Sequence, residues 1–306
     1  MSGIVHTPVL LEETLELLGD KSFNISDENL KYGLMIDCTL GEGGHSEAFL
    51  TRFSGLKVIG LDADKEIIKI ACSRLERFGG RVEFYRLWAL DFFKNYSKDL
   101  IRPNIILMDL GVSLYHYEKG DRGFSFAKNE ALDMRIDIET GVSAAEILEK
   151  SNERDLADLI YNNADERYSR HIAKAVVEAR RRGKITSSAV LADIVRGAVP
   201  PAYRHGRVHP ATKTFQALRI AVNGELEYLP RQLDAAFSVL KEGGKLGVIS
   251  FHSAEDRIVK NFFKEKSIVK EGTLVTKKPA APSYEEVKRN PASRSAKLRV
   301  IEKIIE

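Results

Sequence analysis

The chain has 306 residues, 43% of them hydrophobic, and a net charge of +3, enough to bury one large core or two smaller ones. No apolar stretch approaches the ~18 residues of a membrane span, and Glu12, Glu13 and Glu16 among the N-terminal leucines argue against a signal peptide. Cys38 and Cys72 stand far apart and the seven histidines lack ligand spacing, which fits a cytoplasmic protein with no metal site.

The first strand-like run, Gly33–Thr39, carries Asp37 near its end and breaks into Gly41-Glu42-Gly43-Gly44-His45-Ser46 before a helix. A strand, a glycine turn and a helix N-terminus in that order form a nucleoside- or phosphate-type loop. The second run, Lys57–Leu61, ends in Asp62, an acid roughly 20 residues after the first glycine, where it can take ribose hydroxyls. Two cofactors fit. A dinucleotide fingerprint needs a third glycine, and Ser46 stands there; an acid four residues before Gly41 is the pattern of S-adenosylmethionine enzymes. A glycine turn without any cofactor is the plainer alternative.

Further along, Lys65–Phe78 has helical spacing through Ile67, Ile68, Ala71 and Leu75, and strands are predicted at Arg81–Arg86 and Asn104–Leu110. Alternation of this kind predicts a parallel sheet covered by helices on both faces, a Rossmann-like α/β fold. Ligands bind beyond the carboxyl ends of such strands, so Asp37, Asp62 and Asp109 are expected around one crevice. Asp91-Phe92 follows the third strand, where an acid and a ring can flank an adenine; core packing is the commoner fate of such a phenylalanine.

The fifth strand, Lys245–Phe251, comes more than 130 residues after the fourth, too far for one crossover. The interval reads as helices at Ala144–Leu148, Arg154–Asn162, Tyr168–Arg181 and Ser187–Val199, with Pro200-Pro201 and His209-Pro210 marking the return. The expected organisation is a main domain of residues 1–113 and 214–306 with a mainly helical insertion, 114–213. Ser295–Ile305 alternates charged and apolar residues and reads as a last strand.

Charge is uneven. Arg167 to Arg219 holds twelve Lys/Arg against Glu178 and Asp193, a local charge of +10, which leaves −7 for the rest. Such asymmetry points to a polyanion; a solvated helix face is the alternative. Arg180, Arg181, Arg182, Lys184, Arg204 and Arg207, with Lys277, Lys278, Lys288 and Arg289 near the C-terminus, are the candidate phosphate contacts, which position RNA without reading sequence.

A longer pattern runs through the chain: His6-Thr7-Pro8-Val9-Leu10-Leu11, the Gly41–Ser46 turn, Asp109-Leu110-Gly111-Val112-Ser113, Asp121-Arg122-Gly123-Phe124-Ser125-Phe126 and Leu132-Asp133-Met134-Arg135. It continues with His209-Pro210-Ala211-Thr212-Lys213-Thr214-Phe215-Gln216-Ala217, Ser250-Phe251-His252-Ser253, Glu255-Asp256-Arg257 and Asn290-Pro291-Ala292-Ser293-Arg294-Ser295. In this order and over nearly the whole length it resembles the ribosomal RNA small subunit methyltransferase H family. The resemblance implies a Rossmann-like, S-adenosylmethionine-dependent methyltransferase sheet. It implies methylation of the N4 amine of a cytidine in the decoding region of 16S rRNA, with the small ribosomal subunit as partner and no membrane; the sequence leaves room for a homodimer.

The resemblance also implies that Gly43, Gly44 and His45 hold the methionine part of the cofactor, that Asp62 takes the ribose, that Phe92 lies beside the adenine and that Asp109 lies near the donor end. His116, counted with the cofactor contacts, stands where the family usually carries glutamine, and Ala254 stands where it usually carries leucine. Asp109 is the first candidate for catalysis, with the backbone carbonyls of Leu110–Val112 as the alternative. The competing expectation, from another class, is a non-catalytic RNA-binding assembly factor on a methyltransferase fold; a nicotinamide oxidoreductase comes third.

Overall fold

The computed structural model describes residues 7–24, 33–97, 100–118, 120–206 and 208–304. His6, Arg207 and Ile305 lie outside the described residues. The chain divides into two compact units, one of residues up to Val112 and from Tyr228 on, the other Ser113–Glu227.

The first unit is an α/β sheet. Its strands are β1 (Gly33–Asp37), β2 (Leu56–Asp62), β3 (Val82–Arg86), β4 (Ile105–Asp109), β5 (Lys245–Ser250), β6 (Gly272–Leu274) and β7 (Lys297–Lys303), in the order β3-β2-β1-β4-β5-β7-β6. β1 to β5 are parallel; β7 runs antiparallel to both β5 and β6. This is a Rossmann-like α/β sheet whose last pair runs antiparallel. Strand order reverses between β1 and β4, and such a switch point opens a crevice at the carboxyl ends of the strands.

Successive strand residues point to opposite faces, and the core divides accordingly. Met35, Val58, Ile105, Leu107, Ile249 and Val300 pack with Leu15 and Leu18 of α1 (Leu11–Leu18), Phe49 and Leu50 of α2 (Gly44–Arg52) and Ala71 and Leu75 of α3 (Lys65–Leu75). Ile36, Leu61, Ile106, Met108, Leu246 and Val248 pack on the other face with Phe93 of α4 (Ala89–Lys94) and the helices after residue 228. The strands therefore read as near-continuous apolar runs, as strands covered on both faces must. α3 starts where Asp64 accepts from the backbone N–H of Glu66 (2.8 Å) and Ile67 (3.3 Å). It stops at Leu75, short of the predicted Phe78, and a 3₁₀ turn follows, Glu76–Arg81, with Gly79 at φ +52°. β6 escapes a reading by pattern because three residues are too few to show alternation.

The second unit is mainly helical: α5 (Leu114–Glu118), α6 (Ala144–Lys150), α7 (Glu153–Ala164), α8 (Ser169–Arg180), α9 (Ser188–Ala198), α10 (Pro201–Arg204) and α11 (Thr212–Asn223). α7 packs against α8 and α11, and α8 against α9, burying Leu156, Ile160, Ile172, Val176, Leu191, Val195 and Leu218. Ser143 and Glu146 form a capping box on α6, and Asn152 and Ser187 cap α7 and α9. The chain returns through α12 (Glu225–Val239), α13 (Ser253–Ile268) and α14 (Tyr284–Arg289).

Candidate active site

The glycine turn is tied to the strand ends on either side. Gly41 donates its N–H to Asp62 Oδ2 (3.0 Å), and Asp64 N–H goes to Asp62 Oδ1 (2.9 Å). Leu40 N–H goes to the Leu61 carbonyl, and Cys38 N–H to the Leu107 carbonyl. Gly41 and Gly43 stand at φ +54° and +80°, a region costly to any residue with a Cβ. Gly44 is small for a different reason. A Cβ there would sit 2.4 Å from Pro8 Cγ, so the close approach is by the N-terminal segment of the chain itself.

That segment is fastened at both sides. Leu10 N–H donates to Glu286 Oε1 (2.7 Å), Asn290 Nδ2 donates to the Thr7 carbonyl (3.1 Å), and His45 Nε2 lies 3.0 Å from the Val9 carbonyl. Two of the recurring sequence motifs, Thr7–Leu11 and Asn290–Ser295, thus meet in one strap beside the turn.

Asp37 does not face the crevice as the sequence suggested. It is buried and accepts from Ser46 Oγ (2.7 Å) and Thr39 N–H (3.3 Å). Burial raises its pKa to about 6. Its role in the fold is to join β1 to the first turn of α2. Ser46 is therefore more than the residue that breaks a dinucleotide fingerprint; its hydroxyl holds the buried acid.

Asp109, at the end of β4, donates its backbone N–H to Thr39 Oγ1 (2.7 Å). Its side chain keeps 24% exposure, and Oδ2 lies 3.8 Å from His45 Nδ1. Its other oxygen, Oδ1, is buried with no hydrogen-bond partner among the described residues. Burial, with the charges of Asp37 and Glu255 beside it, pushes the Asp109 carboxyl well above the usual carboxylate range. Glu255 in turn accepts from the N–H groups of Phe251 (2.9 Å) and His252 (3.3 Å). His252 is the N-cap of α13, its Nδ1 accepting from Glu255 N–H, so its ring is committed to starting a helix. Two acids, Asp37 and Glu255, thus bear on a third, Asp109. Such a group is stable only if protons are retained or a cation is bound.

Phe92 is half-buried in α4, its ring 5.4 Å from Tyr85, 5.8 Å from Phe93 and 5.6 Å from Tyr96. Asp91 pairs with Lys94 at 2.9 Å on the surface. His116 belongs to the second unit, buried on α5 with its ring 5.1 Å from Phe124.

The candidate phosphate contacts separate into two kinds. Arg180 donates to the carbonyls of Leu148 (2.5 Å) and Ser151 (2.7 Å), and Arg204 to those of Val199 (2.9 Å) and Gly197 (3.0 Å). Both guanidiniums close the carboxyl ends of helices. Arg181, Arg182, Lys184, Lys277, Lys278, Lys288 and Arg289 are exposed.

The model of one protein family covers residues 3–304, nearly the whole length. The chain belongs to the MraW methylase family. Among its relatives are proteins named ribosomal RNA small subunit methyltransferase H. The one from Treponema denticola is 54% identical over 98% of each chain. That of Borrelia turicatae is 46% identical over the full length of both, and that of Synechococcus elongatus 43% identical over 99% of this chain and 96% of the relative. Membership accounts for the order of the motifs. The geometry shows what several of them do: Asn290–Ser295 holds the strap, Glu255 caps α13, and Asp256 anchors Lys297 and Arg299 of β7.

Proposed function

We propose that the protein transfers a methyl group from S-adenosylmethionine to the N4 amine of a cytidine in the decoding region of 16S rRNA. Two supports stand behind the small-subunit substrate: family membership and the names carried by full-length relatives. The observation that carries the cofactor reading is Asp109, whose buried Oδ1 has no partner among the described residues while Asp37 and Glu255 add to its negative surroundings. A cationic ligand suits that environment, and S-adenosylmethionine carries both a sulfonium and an ammonium.

Gly43, Gly44 and His45 would hold the methionine part, Asp62 the ribose and Phe92 the adenine side. An ionised carboxylate has about four acceptor positions, so the two backbone bonds at Asp62 are compatible with that role. When bound, the cofactor supplies a methyl group already activated on sulfur. What the protein must add is alignment of a weakly nucleophilic amine and an acceptor for the proton it sheds. Asp109 Oδ2 is that acceptor: it stands at a strand end, partly exposed, next to a histidine. The target base must leave its stack to reach it. Exposed Arg181, Arg182, Lys184, Lys277 and Lys278 would hold phosphates.

The deciding experiment is transfer of labelled methyl to small subunits that lack the modification, followed by nucleoside mass spectrometry. Label in N4-methylcytidine supports the proposal. Label in another nucleoside removes the N4 assignment. Tight binding to the subunit with neither cofactor binding nor transfer would favour a non-catalytic assembly factor.

A further inference from the structure

Among the motifs of the helical unit without a chemical role are Asp121–Phe126 and His209–Ala217. They meet at a ring stack. The Phe126 and His209 rings are 4.5 Å apart and tilted by 29°, and Phe215 meets Phe126 edge-on at 5.0 Å. Phe126 is half-buried, Phe215 buried and His209 exposed. The stack therefore runs from the core outward and ends on an imidazole at the surface.

The imidazole is held in place. His209 Nδ1 accepts from Ala211 N–H at 3.2 Å, which fixes the ring about its own axis, while Phe126 covers one face. The loop carrying Phe126 is anchored as well. Arg122 donates to the carbonyls of Arg135 (3.0 Å) and Ile136 (2.8 Å), Gly123 N–H donates to buried Glu130 (2.9 Å), and Asn223 bonds both Met134 and Ile136. An exposed ring held this firmly loses little entropy when something stacks on it. Partial burial and neighbouring Arg196 lower the His209 pKa, with Asp193 opposing. The neutral ring is then the resident form at neutral pH. Arg196 is exposed on α9 and supplies a cation beside the ring.

We infer that His209, backed by Phe126, is a stacking platform for an unpaired RNA base, with Arg196 holding an adjoining phosphate. This rests on the proposed rRNA substrate and specifies how the helical unit would grip it. Unstacked bases on aromatic or histidine rings are the usual currency of single-strand RNA recognition.

The test uses the full chain and a single-stranded fragment of the decoding region of 16S rRNA. 2-Aminopurine replaces, one at a time, the bases flanking the target cytidine. Stacking predicts quenching of the probe at one position with the unaltered protein. His209→Ala should abolish that quench and weaken RNA binding about tenfold; His209→Phe should keep both. Arg196→Gln should lower affinity and reduce its salt dependence while leaving the quench in place. An unchanged quench and affinity in His209→Ala overturn the inference, as does equal loss in the Ala and Phe variants, which would assign the effect to the Ala211 bond. If the unaltered protein neither binds RNA nor methylates small subunits, the proposed function falls with it. If it methylates but His209→Ala is indistinguishable, this inference alone falls.

Discussion

His45 turns Nδ1 toward Asp109, 3.8 Å from Oδ2, while its Nε2 stays on the carbonyl oxygen of Val9, 3.0 Å away. A carbonyl can only accept, so the Nε2 proton is fixed by the hydrogen-bond pattern and a neutral ring faces Asp109 with a lone pair. A lone pair and a carboxylate repel. The pair is comfortable only with a proton on one of the two or a cation nearby, and burial with the charges of Asp37 and Glu255 separately raises the Asp109 pKa.

From this follows the first prediction. Asp109→Asn keeps the size and removes the proton acceptor. Single-turnover methyl transfer should fall by about 10²–10⁴, with cofactor affinity changed much less. In the unaltered protein the rate should rise with pH as the carboxyl ionises and then level off; in Asp109→Asn it should be flat over that range. An unchanged rate removes Asp109 as the acceptor, and an affinity loss as large as the rate loss makes it a cofactor-positioning group instead.

Asp37 gives a pH dependence of stability whose sign is opposite to that of a salt-bridged acid. Its folded pKa, about 6, lies above the ordinary 3.8, so the native state holds the proton more tightly than the unfolded chain. The contribution is fully present below about pH 4 and is lost as pH rises through about 6, on the order of 3 kcal/mol in all. Urea unfolding of the cofactor-free protein from pH 4 to 7 should show this decline on top of any other titration. Asp37→Asn retains an oxygen for Ser46 and should remove that component. A variant whose pH profile parallels the unaltered protein's would mean that Asp37 ionises as it does in water.

Asp62 is bonded within the turn as well as being placed for a ribose, so its replacement has two effects. Asp62→Ala should weaken cofactor binding by about 1.5–3 kcal/mol through lost charge-assisted bonds and lower stability by about 1 kcal/mol by releasing the Gly41 N–H. Calorimetry with S-adenosylmethionine and a denaturant titration separate the two. Full affinity in a folded Asp62→Ala protein would remove Asp62 from the cofactor site.

Gly44 and Pro8 should be coupled. Gly44→Ala places a Cβ 2.4 Å from Pro8 Cγ, and relieving such a clash typically costs about 1–3 kcal/mol. Removing the ring in Pro8→Ala should restore much of the loss, giving a non-additive double-mutant cycle. Additive effects would show that the glycine is required by something other than the strap.

Much of this was legible from the chain alone, for identifiable reasons. Strands β1, β2, β4 and β5 are largely buried on both faces, so they appear as apolar runs, and each of β1, β2 and β4 ends in an acid. The helices of the second unit announce themselves through caps and spacing. What stayed hidden depends on contacts distant in sequence. Nothing in the composition of the chain says that Asp37 points into α2 rather than outward, that Gly44 is small because of Pro8, or that Glu286 and Asn290 fasten residues near the start. The arginines show the same limit: Arg180 and Arg181 are neighbours of identical chemistry, and only the carbonyls of Leu148 and Ser151 distinguish them.

That distinction shapes the last prediction, on the basic segment from Arg167 to Arg219. Replacing Arg180 would confuse two effects, because its guanidinium satisfies the carbonyls at the end of α6 and their loss is costed in stability. Arg181, Arg182 and Lys184 are exposed and can be changed without that penalty. If they hold phosphates, each contact releases about 0.9 counterions per phosphate neutralised, and RNA affinity falls steeply with salt. The triple alanine variant should bind small-subunit RNA more weakly at low salt, and its log-affinity against log-salt slope should be shallower by about 2–3 units. Cofactor affinity and unfolding midpoint should be unchanged, since surface substitutions of this kind shift stability by less than about 0.5 kcal/mol. Arg180→Ala should do the reverse, lowering the unfolding midpoint with little change in slope. The measurement is RNA binding across a salt series for the three proteins. Equal slopes for the unaltered protein and the triple variant would move the phosphate contacts to the exposed C-terminal lysines, Lys277 and Lys278, where the same series can be repeated.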